Sequence, residues 1–252
     1  MAIVPKIFTA LALTASVATA YPAAALDEAQ KKEFGEFIKQ YLIENPEIML
    51  DVQDALQKKQ EQTRLVKANA VIADNKSTIF DSEYDVTIGN PKGDITIVEF
   101  FDYNCGYCRH ALSDMQTMLE KDKNVRFVLK EFPILGPESV AAHKVSDAFR
   151  KLAPEKYSAF HVALLSSDGR ADEASAIDVA ASLGVSEKQI RDEMAKSSSD
   201  ASVKETYQLA QSLGITGTPS YVIGNELVQG AVGFDDLEGK VKNMRACGKT
   251  SC

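Results

Sequence analysis

Apolar residues recur at helical spacing through the first part of the chain. Asp27 and Gln30 have the spacing of a capping box at the start of this pattern. Asn45 and Pro46 interrupt it and predict a second helix, with Asn45 as its N-cap and Pro46 at its first position. The apolar positions are Phe34, Phe37, Ile38, Tyr41, Leu42, Ile48, Met49, Val52, Ala55 and Leu56. We therefore expect a helical arm over residues 26–75, whose apolar stripe packs either on its own domain or on other copies of the chain.

Beyond the arm, the spacing changes to that of strands. Alternating residues at 84–88 predict a first strand, and the continuous apolar run at 95–101 predicts a buried one. Helical spacing returns over 108–119, and residues 125–132 are typical of a further strand. A strand, a helix and a strand within about 40 residues form a βαβ unit, so the second and third strands should be parallel.

The remainder of the chain is mostly helical in pattern. Residues 137–196 predict several helices, and a further helix is expected at about 201–213. Two short strands, at 220–223 and 227–228, flank a turn, and a closing helix begins near Phe234. This order of elements predicts an α/β protein with a helical insertion.

The first residues have the pattern of a secretory signal peptide. Lys6 precedes an uncharged apolar stretch at 7–20, and small residues that suit cleavage end at Ala20 and at Ala25. The apolar stretch is shorter than the roughly 20 residues that span a bilayer, although an uncleaved anchor is the alternative. We therefore predict a signal peptide over residues 1–25 and export to the periplasm, where disulfides persist.

Composition then narrows the function classes. The 252 residues include 28 basic and 36 acidic ones, so the net charge is −8, which argues against a nucleic-acid partner. Four cysteines are too few to build the fold from disulfides. The sequence contains no Ser/His/Asp set, phosphate-binding glycine loop or H-E-x-x-H motif, and no cofactor or metal is predicted.

The most informative motif is Cys105-Gly106-Tyr107-Cys108, which lies where the buried strand gives way to a helix. At a helix N-terminus, free backbone N–H groups and the helix dipole stabilise a thiolate. Cys105 would therefore be exposed as the nucleophile that forms a mixed disulfide with the substrate. Cys108, turned inward, would resolve that mixed disulfide.

Two other arrangements of the cysteines remain open at this point. Cys105, Cys108, Cys247 and Cys252 could together ligate zinc, because their spacings suit a four-thiolate site. A purely structural disulfide between Cys105 and Cys108 would constrain little of the unfolded chain. For Cys247 and Cys252 we favour a local disulfide in the C-terminal tail.

A second motif, Thr218-Pro219, follows a glycine-containing loop and opens a predicted strand. A proline in that position is a candidate for a cis peptide bond, although trans is the default for any proline.

Together the two motifs resemble the DsbA-like branch of the thioredoxin superfamily. The resemblance rests on Phe-Phe-Asp-Tyr-Asn-Cys-Gly-Tyr-Cys at 100–108, a helical insertion at about 137–196 and Gly-Thr-Pro at 217–219. It implies a thioredoxin fold with an inserted helical subdomain over residues 80–252. It also implies a cis Pro219 that faces the cysteines, and a substrate surface made of Thr218, Pro219, Gly106 and Tyr107.

Glu99 lies where that family keeps a buried acid beneath the active site. The resemblance implies that Glu99 accepts or relays the proton of Cys108, with a pKa raised by desolvation. The alternative is an ordinary strand glutamate in a salt bridge. Lys130, also family-like, could be the partner of such a bridge.

The arm resembles the N-terminal segment of the suppressor of copper sensitivity protein C (ScsC) group, through Tyr-Leu-Ile-Glu-Asn-Pro-Glu-Ile at 41–48. The Gly-Tyr pair between the cysteines is also that of the isomerase DsbC. These resemblances imply a disulfide isomerase or reductase that acts on unfolded or misoxidised secreted proteins as a homo-oligomer, a trimer in the members with a long stalk. They also imply a membrane thiol redox partner, DsbD/ScsB-like or DsbB-like.

Two alternative functions stay open. DsbA-like proteins with a similar arm also act as dithiol oxidases, so the direction of electron flow is undecided. In a different class, the chain could be a chaperone or a copper- or zinc-binding module, since thiolates suit Cu(I).

Overall fold

The computed structural model describes residues 27–196 and 199–252. The predicted signal peptide lies outside the described residues. The chain divides into two compact units, the first ending at Gln57 and the second running from Lys58 to Cys252. Within the described ranges, no helix combines the length and the apolar character needed to cross a membrane.

Two helices form the N-terminal part, α1 over Glu28–Glu44 and α2 over Ile48–Asp74. The predicted capping box is confirmed, because Asp27 accepts from the Gln30 backbone while the Gln30 side chain accepts from the Asp27 backbone.

The predicted role of Asn45 is wrong. Its side-chain amide donates to Tyr41 O at 2.8 Å and so closes the end of α1 instead of starting the next helix. The following helix begins at Ile48, two residues later than the pattern predicts for Pro46. An asparagine amide can satisfy a free carbonyl as well as a free N–H, and here the carbonyl at the end of α1 is the one within reach.

A five-stranded sheet forms the centre of the second unit, in the order β1-β3-β2-β4-β5. β2 and β3 are parallel, as the βαβ pattern predicts, and the other pairs are antiparallel. The strands are β1 Val86–Gly89, β2 Ile95–Phe101, β3 Val125–Glu131, β4 Ser220–Ile223 and β5 Glu226–Gln229.

Helices cover both faces of this sheet. The insertion predicted over 137–196 is built from four α-helices and a short 3-10 turn at Pro154–Lys156. The helices of the second unit that follow α2 are α3 Lys76–Phe80, α4 Gly106–Lys121, α5 Pro137–Leu152, α6 Tyr157–Leu165, α7 Glu173–Ser182, α8 Glu187–Lys196, α9 Asp200–Leu213 and α10 Phe234–Cys247.

Alternation along β2 divides the core into two layers. Ile97 and Phe101 belong to the layer under α4 and the insertion, whereas Val98 and Phe100 belong to the layer under α9. The second layer also contains Ala68 and Ile72 of α2. The C-terminal part of α2 is therefore part of the core of the second unit, and removal of the chain up to residue 75 would take two core residues with it.

The same alternation explains why the suggested pair between Lys130 and Glu99 does not form. Lys130 pairs in register with Phe100, whereas Glu99 pairs with Leu129, so the two charged side chains point to opposite faces of the sheet. The Lys130 ammonium instead lies 2.5 Å from Asp85 and donates to Thr78 O at 2.6 Å. The prediction was wrong because it ignored the parity of the two strands.

The C-terminal tail confirms the local disulfide, since Cys247 and Cys252 are joined. Arg245, in the last turns of α10, binds Asp94 at the start of β2, while Cys105 follows the other end of that strand. Seven strand residues span about 23 Å. The four-thiolate zinc site is therefore excluded, because two of its sulfurs are bonded to each other at the far end of the domain.

Candidate active site

The Cys-Gly-Tyr-Cys motif forms the start of α4. Cys105 is the N-cap residue, and Gly106 is the first residue of the helix. Both cysteines are free thiols, with Cys108 fully buried and Cys105 7% exposed. The protonated Cys105 thiol donates to Thr218 O at 3.1 Å, which connects the motif to the loop before β4. Cys108 is turned into the core, as the sequence predicts, whereas the predicted exposure of Cys105 is wrong, because the Thr218 loop covers most of its side chain.

Several polar groups lie around the Cys105 sulfur. They lower the pKa of Cys105 to about 5, and the Cys108 thiol contributes most. Burial opposes this shift, whereas the Thr218 side chain and the backbone N–H groups of Cys108 and Tyr107 add to it. A pKa of about 5 leaves Cys105 almost entirely ionised at neutral pH. It is therefore a ready nucleophile and also a good leaving group.

Cys108 has the opposite character. Its hydrogen bond to Cys105 raises the pKa of the Cys108 thiol far above the ordinary range, and burial and the nearby charge of Glu99 raise it further. Cys108 therefore keeps its proton while Cys105 is a thiolate. It can attack only after a base removes that proton.

Glu99 lies on the α4 side of β2, in the layer that contains Cys108. Its side chain is buried, and within the described part of the chain it makes no hydrogen bond or ion pair, so the alternative of a salt-bridged glutamate is wrong. Burial raises the pKa of Glu99 to about 8, with smaller contributions from the charges of Asp114 and Cys105. Glu99 is therefore a carboxyl that can hold or release a proton near neutral pH, close to a thiol that must lose one.

The loop before β4 carries the second motif. The Thr218–Pro219 peptide bond is cis, as the family resemblance implies. Pro219 O accepts from Gly230 N at 2.9 Å, which fixes the loop against the end of β5. The Thr218 hydroxyl is buried and forms no hydrogen bond of normal geometry among the described residues, although it lies near enough to the Cys105 sulfur to lower its pKa. The loop thus presents Thr218 to the Cys105 sulfur on a rigid support.

The remaining predicted substrate residues are exposed at the surface of the motif. The Tyr107 side chain is 69% exposed, and a Cβ added at Gly106 would meet no atom within 4 Å. The structure therefore brings Cys105, Cys108 and Thr218 together, with the exposed Gly106 and Tyr107 next to Cys105 in the chain.

A set of polar residues around the motif was not singled out from the sequence. Asp102 accepts from Asn104 N at 2.8 Å, from the Ser139 hydroxyl at 2.8 Å and from Leu135 N at 2.9 Å. It therefore fixes the residues before Cys105 to the start of the insertion. An Asp two residues before an Asn at a strand end is the pattern of an Asx turn, and this signal could have identified it.

Asp114 was also not predicted from the sequence as a site residue, and it affects Glu99 through its charge. It lies on α4, three residues after the buried Ala111, and its charge raises the pKa of Glu99. The helical spacing indicates that Asp114 is on the edge of the inner face, but only the structure shows which strand residue faces it.

This arrangement supports thiol–disulfide exchange. The Cys105 thiolate attacks one sulfur of a disulfide, so that a new S–S bond forms and the second sulfur leaves as a thiolate. If Cys108 then attacks Cys105 Sγ, the bound sulfur is released, the substrate has gained two electrons, and Cys105 and Cys108 end as a disulfide. If another thiolate of the substrate attacks instead, Cys105 is released unchanged and the substrate disulfide has moved.

Comparison with known families assigns both parts of the chain. Residues 96–242, more than half of the chain, match the DSBA-like thioredoxin domain. Residues 30–62 match the copper resistance protein ScsC N-terminal domain.

Solved structures agree with this assignment. A thioredoxin-like oxidoreductase from Silicibacter pomeroyi is 39% identical, covers 69% of this chain and 99% of its own, and has a TM-score of 0.65. The thiol-disulfide exchange protein alpha-DsbA2 from Wolbachia pipientis is 29% identical, with coverage of 72% and 98% and a TM-score of 0.67. Proteus mirabilis ScsC in a transitional conformation is 30% identical, with coverage of 88% and 98% and a TM-score of 0.64.

One curated protein also matches part of the chain. The Na(+)/H(+) antiporter NhaA 1 of Salinispora arenicola is 22% identical over 166 residues, which are 66% of this chain and 26% of the antiporter. The match thus spans about a quarter of that protein's length.

The family match covers the strand, the helix and the loop that hold Cys105, Cys108 and Thr218, and the solved relatives share this fold over nearly their whole length. The chain therefore belongs to the DSBA-like thioredoxin domain family and is a thiol–disulfide oxidoreductase of the DsbA/ScsC type.

Proposed function

We propose that the protein is exported to the periplasm and there reduces and isomerises non-native disulfides of unfolded or misoxidised proteins. The leader pattern of residues 1–25 and the likeness to ScsC support the location. Cys105 is the attacking thiolate, Cys108 resolves the mixed disulfide, and Glu99 receives the proton of Cys108. A membrane thiol partner returns two electrons to the Cys105–Cys108 disulfide after each reduction.

The observation that carries the isomerase assignment is the apolar surface of the N-terminal helices. No residue of α1 is buried. The large apolar side chains of α1 and the first part of α2 that are about half exposed or more are Phe34, Phe37, Ile38, Tyr41, Ile43, Met49, Leu50, Val52 and Leu56. Nine large apolar side chains exposed within residues 34–56 are typical of a segment that binds another protein surface.

The occupant that we propose for this apolar surface is the same surface of other copies, in a homotrimer. The match of residues 30–62 to the ScsC N-terminal domain supports this choice. An isomerase must hold a misfolded chain while its thiolate tests several disulfides. Several catalytic units joined through their arms raise the effective concentration of active sites around one substrate.

A second candidate is a dithiol oxidase, and the low pKa of Cys105 favours it. A thiolate stabilised in the reduced protein makes the Cys105–Cys108 disulfide a stronger oxidant, since reduction yields the more stable state. In that case the partner would be a membrane protein that removes electrons.

A truncation separates the two candidates. We would remove the residues before Lys58, where the two units divide, so that Ala68 and Ile72 stay in the catalytic core. The full-length mature protein should have the mass of a trimer by light scattering and should repair a scrambled ribonuclease. The truncated protein should be a monomer that still reduces insulin but has lost most of the repair activity.

Point variants supply the controls. Phe37→Ala should weaken assembly, whereas Lys39→Ala, on the same exposed helix, should leave it unchanged. Cys105→Ser should abolish insulin reduction and repair, and Cys108→Ser should accumulate mixed disulfides. A monomeric mass for the full-length protein would contradict the assembly and favour the oxidase. Activity retained by Cys105→Ser would contradict the mechanism as a whole.

A further inference from the structure

An open groove lies beside the nucleophile, between the start of α4 and the loop that connects α6 to α7. Its volume is about 480 Å³, and its lining residues are Asn104, Gly106, Arg109, Leu135, Gly169 and Arg170. Gly106 adjoins Cys105, and Arg109 follows one helical turn later, about 5 Å along the helix axis. A peptide whose cysteine reaches Cys105 therefore has its neighbouring residues within reach of this groove.

Arg109 gives the groove a positive charge, and it has no carboxylate partner within residues 27–196 and 199–252. Its guanidinium donates to Ser167 O and to Gly169 O, both at 2.7 Å, and within the described ranges it forms no ion pair. Gly169 has a φ of +81°, a conformation that suits glycine and allows the loop to turn its carbonyl toward Arg109. Two of the five guanidinium N–H donors are used in this way, so others remain for a ligand.

Arg170 supplies a second guanidinium on the same groove. It donates to Leu135 O at 3.0 Å and lies 3.1 Å from Glu138, whose carboxylate offsets part of its charge. Asp168, exposed in the same loop, pairs with neither arginine among the contacts of the described residues. Both charged side chains that line the groove are therefore arginines, on a protein whose overall charge is −8, while Glu138 and Asp168 lie outside the lining.

Hydrogen bonds hold the walls of the groove in place before any ligand binds. The Asn104 side chain donates to Ala171 O and accepts from Ala171 N, both at 2.8 Å, so it clamps the loop that carries Arg170. Arg109 clamps the preceding residues of that loop. A preformed site loses little conformational entropy on binding, which favours recognition of a short flexible peptide.

We infer that this groove is a substrate subsite that selects protein segments with an acidic side chain one to three residues from the target cysteine. Arg109 and Arg170 would bind the carboxylate, and the half-exposed Leu135 would contact its aliphatic part. The inference rests on the proposed function, because it concerns the substrate of the same exchange reaction. It adds a charge preference that the dithiol alone does not give.

The test uses reduced full-length protein and synthetic disulfide peptides that differ only in having Glu, Gln or Lys two residues from the cysteine. The rate constant for attack by Cys105 is measured for each peptide by stopped flow. Complementary charge should make the Glu peptide react about 5- to 20-fold faster than the Lys peptide at low salt. The ratio should fall toward 1 in 0.5 M salt, where the screening length is only a few ångströms.

Charge variants then assign the preference to the groove. Arg170→Gln should lower the Glu-to-Lys ratio about 2- to 4-fold, and Arg109→Gln should lower it further, while Arg109→Lys should keep most of it. Arg191→Gln is the matched control, because Arg191 is an exposed arginine of the insertion that is paired with Glu173 and Glu187 outside the groove.

Two results would overturn the inference. The first is an equal rate for Glu and Lys peptides with the wild-type protein, and the second is a preference that both Arg109→Gln and Arg170→Gln leave intact. A neutral disulfide, bis(2-hydroxyethyl) disulfide, separates these results from a failure of the proposed function. If it also fails to react, thiol–disulfide exchange itself is wrong; if it reacts, only the subsite is rejected.

Discussion

Replacing Glu99 by glutamine tests whether a buried, unpaired carboxyl controls the active site. The rise of the Glu99 pKa from 4.5 to about 8 corresponds to about 5 kcal/mol of unfavourable free energy for the carboxylate in the folded protein, at about 1.4 kcal/mol per pKa unit. Desolvation is the main cause, so the substitution should remove this cost and retain the shape of the side chain.

The sign of the pH dependence follows from proton uptake. Below pH 4.5 Glu99 is protonated in both the folded and the unfolded chain and contributes nothing. As the pH rises toward 8, the unfolded chain loses this proton while the folded protein retains it, so the free energy of unfolding falls. Relative to the wild type, Glu99→Gln should therefore gain about 1.4 kcal/mol per pH unit over this range.

The assay is urea unfolding at fixed protein concentration, at pH 4, 6 and 8, in a background with Cys105→Ser and Cys108→Ser so that neither thiol titrates. A constant offset of about 1–2 kcal/mol is expected from burying an amide in place of a carboxyl group, and only the change with pH is diagnostic. A difference that does not change between pH 4 and pH 8 would refute the reasoning, because Glu99 would then ionise normally in the folded protein.

The same substitution has a kinetic consequence in the protein with both cysteines. Attack by Cys105 does not need Glu99, but Cys108 must lose its proton before it can release the substrate. Glu99→Gln should therefore slow resolution of the mixed disulfide near pH 7 by about 10- to 100-fold, within the range of a lost general base. Equal resolution rates in quenched-flow trapping would show that another group removes the proton.

Three further outcomes follow from the geometry. The thiolate absorbance of Cys105 should titrate near pH 5. The part of the free energy of unfolding that the Cys105 thiolate contributes should be fully present above the ordinary thiol pKa of 9 and be lost as the pH falls through 5. Thr218→Val should raise the pKa of Cys105, because the nearby hydroxyl helps to stabilise the thiolate. It should not lower stability, because that hydroxyl is buried and forms no hydrogen bond of normal geometry among the described residues; loss of folding in thermal unfolding would contradict this. Replacing both Cys247 and Cys252 by serine should cost about 2 kcal/mol in urea unfolding, given the short ring, and a change in insulin reduction would show that the tail acts on the distant site.

Features that depend on neighbouring residues could be predicted from the sequence. The apolar run of β2 and the CxxC at its end indicate both the buried strand and the nucleophile at a helix N-terminus. The capping box at Asp27 is equally local. In each case the residues that decide the structure lie within one element or one turn of each other.

Contacts between residues on different elements could not be predicted in this way, because they depend on which faces and loops the fold brings together. To predict the partner of Lys130, one would need the register of β2 and β3, which decides the face of the sheet on which each side chain lies. To predict the role of Asn45, one would need to know which helix end its side-chain amide reaches. The groove joins Arg109 to a loop about 60 residues away, and nothing in either segment alone indicates the other. These contacts are set by tertiary packing.

The low pKa of Cys105 suits both an isomerase and an oxidase. The two candidate functions must therefore be distinguished by some other feature of the chain. A stabilised thiolate favours the reduced protein, which an isomerase needs as its resting state and which gives an oxidase its driving force. The dithiol chemistry is therefore the same, and under either proposal the direction would depend on the redox partner that reaches Cys105. Assembly through the exposed apolar side chains of the arm is the feature that the isomerase proposal requires and the oxidase proposal does not. The N-terminal helices, more than the residues between the cysteines, are thus the part of the chain that we expect to set the direction of electron flow.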